Sequence, residues 1–145
     1  MIALLQRVSQ ASVQVDNQIV GEIGKGLLVL LAIEPEDNQE KVDRMAEKIS
    51  KYRIFEDENG KMNLNVGQVN GDILVVSQFT LAANTSRGLR PSFSNAAAPD
   101  FSNAMYQDFC EKLREKGFKV PTGIFGADMK VSLINDGPVT ISLNL

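Results

Sequence analysis

The sequence predicts an α/β fold: a mixed, largely antiparallel sheet curved toward a barrel, with two main helices packed on it. Three observations carry this expectation. The longest apolar run, Leu27 to Ile33, falls far short of the ~20 residues of a membrane helix and has the length and composition of a buried strand. Short β-branched segments bounded by turn residues recur around it. Two further stretches carry apolar residues at helical spacing.

The first 33 residues read as β structure. Apolar and polar residues alternate through Ser12-Val13-Gln14-Val15-Asp16, Asp16-Asn17 offers a turn, and Gln18 to Ile23 returns. Gly24-Lys25-Gly26 then leads into Leu27 to Ile33. A phosphate-binding loop would need glycine where Ile19 stands and serine or threonine where Gly26 stands, so the cluster is read as a hairpin turn.

After Glu34-Pro35, Asp37 with Glu40 makes a capping box, and Val42, Met45, Ala46 and Ile49 form the stripe of an amphipathic helix reaching about Tyr52. Asp57-Glu58-Asn59-Gly60 is a turn, and the polar stretch through Asn70-Gly71 is a second irregular hairpin region. Ile73 to Val76 reads as an interior strand that delivers the chain into Ser77-Gln78-Phe79-Thr80-Leu81. The loop from Ala82 to Asp100 is long for a compact domain, and such loops are usually functional or disordered; function is the expectation here.

Phe101, Met105, Phe109 and Leu113 mark a second helix that stops at Gly117. Cys110 lies on or beside that stripe and is read as a packing residue. Two final strands, Met129 to Ile134 and Val139 to Leu143, flank Asn135-Asp136-Gly137-Pro138. No repeat, linker or low-complexity tract divides the chain, so residues 1–145 are expected to form one domain.

Composition narrows the chemistry. A hydrophobic share of 43% beside a charged share of 23% is that of a globular body and not of a disordered or fibrous chain. The apolar N-terminus has no basic residues before it and Gln6-Arg7 after it, unlike a signal peptide. One cysteine permits no internal disulfide, which points to a reducing compartment, the cytoplasm. There is no histidine, so no Ser-His-Asp or Cys-His hydrolase can be assembled, and a zinc site would lack both imidazole and paired thiolates. Neither a metal nor a cofactor is expected.

The formal net charge of -3 argues against a large nucleic-acid surface, because phosphate affinity comes mainly from Lys and Arg, but leaves room for a small one. Arg87 with Arg90 could meet a few phosphates. The stretch Lys112, Arg114, Lys116 and Lys119 is interleaved with Glu111 and Glu115 and reads as a solvated face.

Two segments stand out: Ser77-Gln78-Phe79-Thr80-Leu81 at a strand end, and Asn135-Asp136-Gly137-Pro138-Val139-Thr140. Taken singly, the first is a strand end with a core phenylalanine and the second a Gly-Pro turn. Together, in this order, they resemble the paired signatures of the D-aminoacyl-tRNA deacylases. Ile2 to Val8, Tyr52-Arg53-Ile54-Phe55, Gly60 to Leu64, Arg90-Pro91-Ser92-Phe93 and Phe125 to Met129 extend the resemblance along nearly the whole chain, and only Ala82-Ala83-Asn84 departs from it.

The resemblance implies the deacylase fold, a homodimer, and hydrolysis of the ester at the 3′ end of D-aminoacyl-tRNA, with neither membrane nor DNA as partner. It assigns an oxyanion hole to the amides of Phe79 and Thr80, with Gln78 in the same catalytic segment and Ser77 shaping the pocket. Preorganised N–H donors of this kind stabilise a tetrahedral oxyanion without an ionisable side chain. It further assigns chiral selection to Gly137-Pro138 through a cis peptide whose carbonyls hold the substrate ammonium, the pair reaching toward the site of the other subunit. Arg7 is expected to fix the Gly137 carbonyl, with a surface role as the bland alternative. Phe125 and Met129 are assigned to the adenine end, with simple packing as the alternative.

Three other readings stay open from the residues alone. Thr80 could be a covalent nucleophile, although a threonine hydroxyl needs an adjacent base. The chain could be a non-catalytic RNA-binding protein of the same fold. It could also be a small-molecule esterase using Thr80 with a lysine such as Lys130.

Overall fold

The computed structural model describes residues 1–145. In chain order it contains β1 (Ile2–Val15), β2 (Gln18–Ile23), β3 (Gly26–Ala32), α1 (Gln39–Lys51), β4 (Phe55–Glu56), β5 (Met62–Leu64), β6 (Asp72–Ser77), a 3-10 turn (Phe79–Ala82), α2 (Pro99–Glu115) and β7 (Lys130–Asn144). β1 is the spine of a curled five-stranded sheet: β7 runs antiparallel along one edge, β2 and β3 antiparallel along the other, and β6 adds parallel to β3. Strands β4 and β5 form a separate antiparallel pair. The fold is the mixed, largely antiparallel, two-helix α/β architecture predicted from the sequence.

The apolar run of β3 is explained by burial on both faces. Leu27, Val29 and Leu31 enter the larger core with α1 and α2, while Leu28 enters a second cluster with Val8, Ala11, Val13, Leu74 and Val76. A strand covered on both sides has no polar face, which is why its sequence does not alternate.

Gly24-Lys25-Gly26 is not the hairpin turn expected. β2 and β3 run in one direction along β1, and the register passes from Val8↔Gly26 to Ala11↔Ile23 without a slip. Gly26 has a packing reason to be glycine: a Cβ there would lie 1.9 Å from the Asp72 carbonyl oxygen.

Helix α1 buries Val42, Met45, Ala46 and Ile49, as their spacing requires. Its N-cap, however, is Asn38, whose side chain accepts from the Lys41 amide at 3.0 Å. Asp37 is drawn elsewhere: its buried carboxylate meets the Met1 ammonium at 2.7 Å and the Glu34 amide at 2.7 Å. Helix α2 starts with Pro99 in its first turn, two residues ahead of Phe101, because proline lacks the N–H that the first turn leaves unpaired. Past its end, Gly117 at φ +94 supplies the left-handed conformation that breaks the helix, as predicted.

β6 is the last strand of the ladder, not an interior one. Its four central residues are nonetheless buried, because the irregular segment 119–123 bonds along its outer edge through Ile73 N–H to Lys119 O, Val75 N–H to Pro121 O and Gly123 N–H to Val75 O. No helix of the protein is long and apolar enough to cross a membrane.

Candidate functional site

β6 ends at Ser77, opposite Leu31 of β3. The Gln78 amide makes the last sheet-like bond, to the Leu31 carbonyl at 2.8 Å, and the chain then turns into the 3-10 segment. The first amides of such a segment have no acceptor within it. Those of Phe79 and Thr80 donate to no other group of the protein, whereas the Leu81 amide already bonds back to Gln78 at 3.2 Å. The Gln78 side-chain amide donates to the Thr80 hydroxyl.

Beside this segment lies a cavity of about 690 Å³, within the usual range of a small-molecule site. Ser77, Gln78, Phe79, Phe125 and Met129, all expected from the sequence, line it. So do residues that sequence reasoning did not single out: Phe93, the small run Ala96-Ala97-Ala98, Pro99 and Ser102. The available signal was the loop's length and its small residues, which leave space open instead of filling it. Phe79 is 54% exposed and meets Phe93 edge-on, ring centroids 5.1 Å apart. Thr80 is exposed and does not line the cavity.

The second motif is built differently from expectation. Residues 129–143 do not form two strands around a turn; β7 is continuous and carries a wide bulge. Between the pairs Gln6↔Thr140 and Val8↔Asn135, the four residues Asp136 to Val139 stand opposite Arg7 alone. The Gly137-Pro138 peptide is cis and both residues are exposed. Asn135 braces the bulge from inside the motif: its Oδ1 accepts from the Val139 amide at 3.0 Å and its Nδ2 donates to the Thr140 hydroxyl at 2.9 Å.

Arg7 braces it from β1. Its side chain is buried, with Nε donating to the Asp136 carbonyl at 2.9 Å and Nη1 to the Ile54 carbonyl at 2.8 Å. The surface alternative for Arg7 is therefore wrong, and so is the expected acceptor: the carbonyl it fixes belongs to Asp136, one residue before Gly137. Gly137 itself, at φ +133, packs so closely that a Cβ would lie 2.9 Å from Arg7 Nη2 and 2.8 Å from Val139 Cγ2.

Within one chain the two motifs do not converge on one pocket. Arg7 pairs with Leu27 and Ser77 with Leu31, so along β3 they are four residues apart, roughly 13 Å, and across the sheet two strand spacings apart, roughly 10 Å. Neither Gly137 nor Pro138 lines the cavity.

The remaining reactive groups are poor nucleophiles or bases. Cys110 is buried in the core, and desolvation pushes its thiol up to about 12. Lys130 is exposed and its ammonium is held by Asp128 at 3.2 Å. No group of three or more His, Cys, Asp or Glu side chains is gathered as a metal site would require.

A family model described as D-Tyr-tRNA(Tyr) deacylase matches residues 4–144. The chain is 68% identical over 145 residues to the D-aminoacyl-tRNA deacylase of Colwellia psychrerythraea (strain 34H / ATCC BAA-681), and 63% identical to that of Shewanella sp. (strain W3-18-1), each alignment covering both chains in full. Among solved structures it is similar to a c-Myc DNA unwinding element binding protein, with 42% identity and a TM-score of 0.94 over 100% of this chain and 99% of the other. It also shares the fold of a probable eukaryotic D-amino acid tRNA deacylase, at 20% identity and a TM-score of 0.85, covering 99% of this chain and 98% of that one.

Proposed function

The chain belongs to the D-Tyr-tRNA(Tyr) deacylase family, and from that membership we propose that it hydrolyses the ester of D-aminoacyl-tRNA to free D-amino acid and tRNA, a chiral proofreading step. The observation that carries this reading is the pair of acceptor-free amides of Phe79 and Thr80 beside the Ser77 to Phe79 cavity. Ester hydrolysis passes through a tetrahedral oxyanion, and one well-placed donor to it is worth about 10²–10³ in rate.

The attacking water is activated by the substrate. The terminal adenosine of an aminoacyl-tRNA carries a hydroxyl beside the ester, while the neighbour of Thr80 Oγ1 is a side-chain amide donor, which orients the hydroxyl and cannot take its proton. This favours RNA assistance over a covalent Thr80 intermediate. The small-molecule esterase reading has little support, because the side chain bonded to the Thr80 hydroxyl is the Gln78 amide and not a lysine.

Handedness is read at Gly137-Pro138, whose carbonyls hold the α-ammonium so that an L side chain collides with main chain and a D side chain points to solvent. Exclusion by a clash needs no extra attraction for the accepted substrate. Glycyl-tRNA, with no side chain to clash, is partly accepted. Since one chain keeps this motif and the cavity apart, the partner's motif completes the site in a homodimer, the exposed bulge of β7 reaching across. Phe125 and Met129 pack against the terminal adenine. The enzyme works in the cytoplasm.

Purified protein is to be given D- and L-aminoacyl-tRNA and a free D-amino acid ester, each with a chelator present. Rapid cleavage of the D-aminoacyl-tRNA alone supports the reading. Cleavage of the L form, dependence on metal, or equal cleavage of the free ester sinks it, and inertness on all three returns the chain to an RNA-binding role.

A further inference from the structure

From Ile73 to Pro99 the chain has no Asp or Glu, although acids outnumber bases by 18 to 15 overall. The only charges in that span are Arg87 and Arg90. The other four arginines are each engaged: Arg7 and Arg53 hold carbonyls, Arg44 pairs with Glu40, and Arg114 holds Glu111 and the Val120 carbonyl. Arg87 and Arg90 are exposed and make no hydrogen bond or ion pair within the protein.

They sit on a built projection. Asn84 and Ser92 exchange amide-to-carbonyl bonds of 2.8 and 3.0 Å, closing a hairpin whose turn is helped by Asn84 Oδ1 accepting from the Ser86 amide. Gly88, at φ +68, reverses the tip with nothing around it, and Leu89 beside it is fully exposed. The base of the hairpin adjoins Phe93, which lines the cavity and packs on Phe79. At no more than ~3.6 Å per residue, Arg90 lies within about 7 Å of Ser92 along the chain and Arg87 within about 11 Å of Asn84.

We propose that this acid-free hairpin is the tRNA backbone contact of the enzyme, Arg87 and Arg90 each meeting a phosphate near the 3′ end of the substrate whose ester lies in the cavity. The assignment rests on the deacylase reading. Guanidinium groups match phosphate oxygens with paired N–H donors. An otherwise acidic protein that must hold a polyanion gains most from placing unneutralised cations where the chain leaves its reactive end. Such a contact positions the RNA backbone and reads no base.

The test compares wild type with an R87A/R90A double variant on D-aminoacyl-tRNA and on the 3′-D-aminoacyl ester of adenosine, which has no phosphate, from 50 to 200 mM salt. Expected are a raised KM for the tRNA with kcat preserved, no change on the adenosine ester, and a salt slope shallower by about 1.4, two single-strand phosphates' worth. Over that fourfold salt range, wild type then weakens about 7-fold more than the variant. R87K/R90K, which keeps both charges, restores most of the slope. R44A/K48A, on the outer face of α1, leaves it unchanged. A double variant with the wild-type slope overturns the assignment, as does equal loss on the adenosine ester or a changed oligomeric state. Wild type inert on both substrates overturns the deacylase reading and this one with it, whereas wild type active on both with an unaltered double variant overturns the arginines alone.

Discussion

The guanidinium of Arg7 and the main chain of Asp136, 129 residues apart in sequence, are joined by a half-buried Nε–H···O bond of 2.9 Å. A second nitrogen of the same group holds the Ile54 carbonyl at 2.8 Å, so one planar side chain ties the bulge of β7 to the end of the α1–β4 connection. A lysine offers a single nitrogen and cannot serve both carbonyls in this geometry. Arg7→Lys is expected to cost about 1–3 kcal/mol, the penalty of an unpaired buried acceptor, and to loosen Gly137-Pro138. Urea denaturation reads the first effect. The second is read as a fall of about tenfold or more in the ratio of D- to L-aminoacyl-tRNA hydrolysis, since each ~1.4 kcal/mol of lost positioning is tenfold. Wild-type selectivity in the variant would remove Arg7 from the chiral apparatus.

If the Thr80 N–H is an oxyanion donor, replacing residue 80 by its α-hydroxy acid counterpart slows catalysis selectively. That change turns the amide N–H into an ester oxygen and keeps the threonine side chain. Since the N–H has no acceptor in the protein, fold stability should scarcely move, while kcat falls by about 10²–10³. An unchanged kcat would place the oxyanion elsewhere.

Removing the side chain instead should do little. Thr80→Ala deletes the hydroxyl that Gln78 orients and leaves both amides in place. Activity within about tenfold of wild type is expected, far from the many orders of magnitude lost with a true covalent nucleophile. Single-turnover assays with acid-quenched product settle the matter, and a trapped acyl-enzyme on Thr80 would restore the covalent model.

Legibility of this chain in its sequence tracks the range of the interactions involved. The stripes of α1 and α2 are repeated every turn, so Val42 to Ile49 and Phe101 to Leu113 announce themselves locally. The capping position of α1 does not, because Asp37 would suit the cap by local rules and is claimed by an ammonium 36 residues away. Gly24-Lys25-Gly26 reads as a turn by composition, yet Gly26 is glycine because the Asp72 carbonyl presses on it from β6. At the site, the two motifs were visible as motifs. Their separation along β3 was not, since it depends on pairing registers that no single segment encodes. The continuity of β7 is hidden for the same reason: Asn135 to Val139 has the composition of a turn, and only the pairing of β1 on both sides of it makes one strand.

Gly26 offers a test of that long-range contact. A Cβ at this position would lie 1.9 Å from Asp72 O and 2.8 Å from both Asp72 N and C, all main-chain atoms, so β3 and β6 must move apart. Gly26→Ala is expected to destabilise the protein by about 1–3 kcal/mol, the range of overpacked core sites, toward its upper end because main-chain atoms must move. Gly60→Ala is a useful comparison, because nothing lies within 4 Å of that Cβ and its cost comes only from φ +73. Chemical denaturation ranks the two; equal losses would mean that backbone conformation and not the β3–β6 approach dominates.

Alkaline pH probes the core through Cys110. Burial is the largest cause of the rise of its thiol from an ordinary value near 9 to about 12. Desolvation also raises the phenol of Tyr106, whose hydroxyl donates to the Val75 carbonyl at 3.0 Å. For acids whose folded pKa is raised, the unfolded chain gives up its protons first. The stability carried by the buried thiol is therefore complete below pH 9 and declines as pH climbs toward 12, by ~1.4 kcal/mol per pH unit. Above pH 10 the phenol adds its own share. Between pH 9 and 10, below the ordinary phenol range, Cys110→Ala should flatten the decline by the thiol's share whatever its cavity costs at neutral pH, because a cavity shifts the level of the curve and not its slope. Iodoacetamide should likewise label the native thiol far more slowly than the urea-unfolded one at pH 8.5. An unflattened decline in the variant, or fast native labelling, would mean that the core beneath the candidate site opens readily to water.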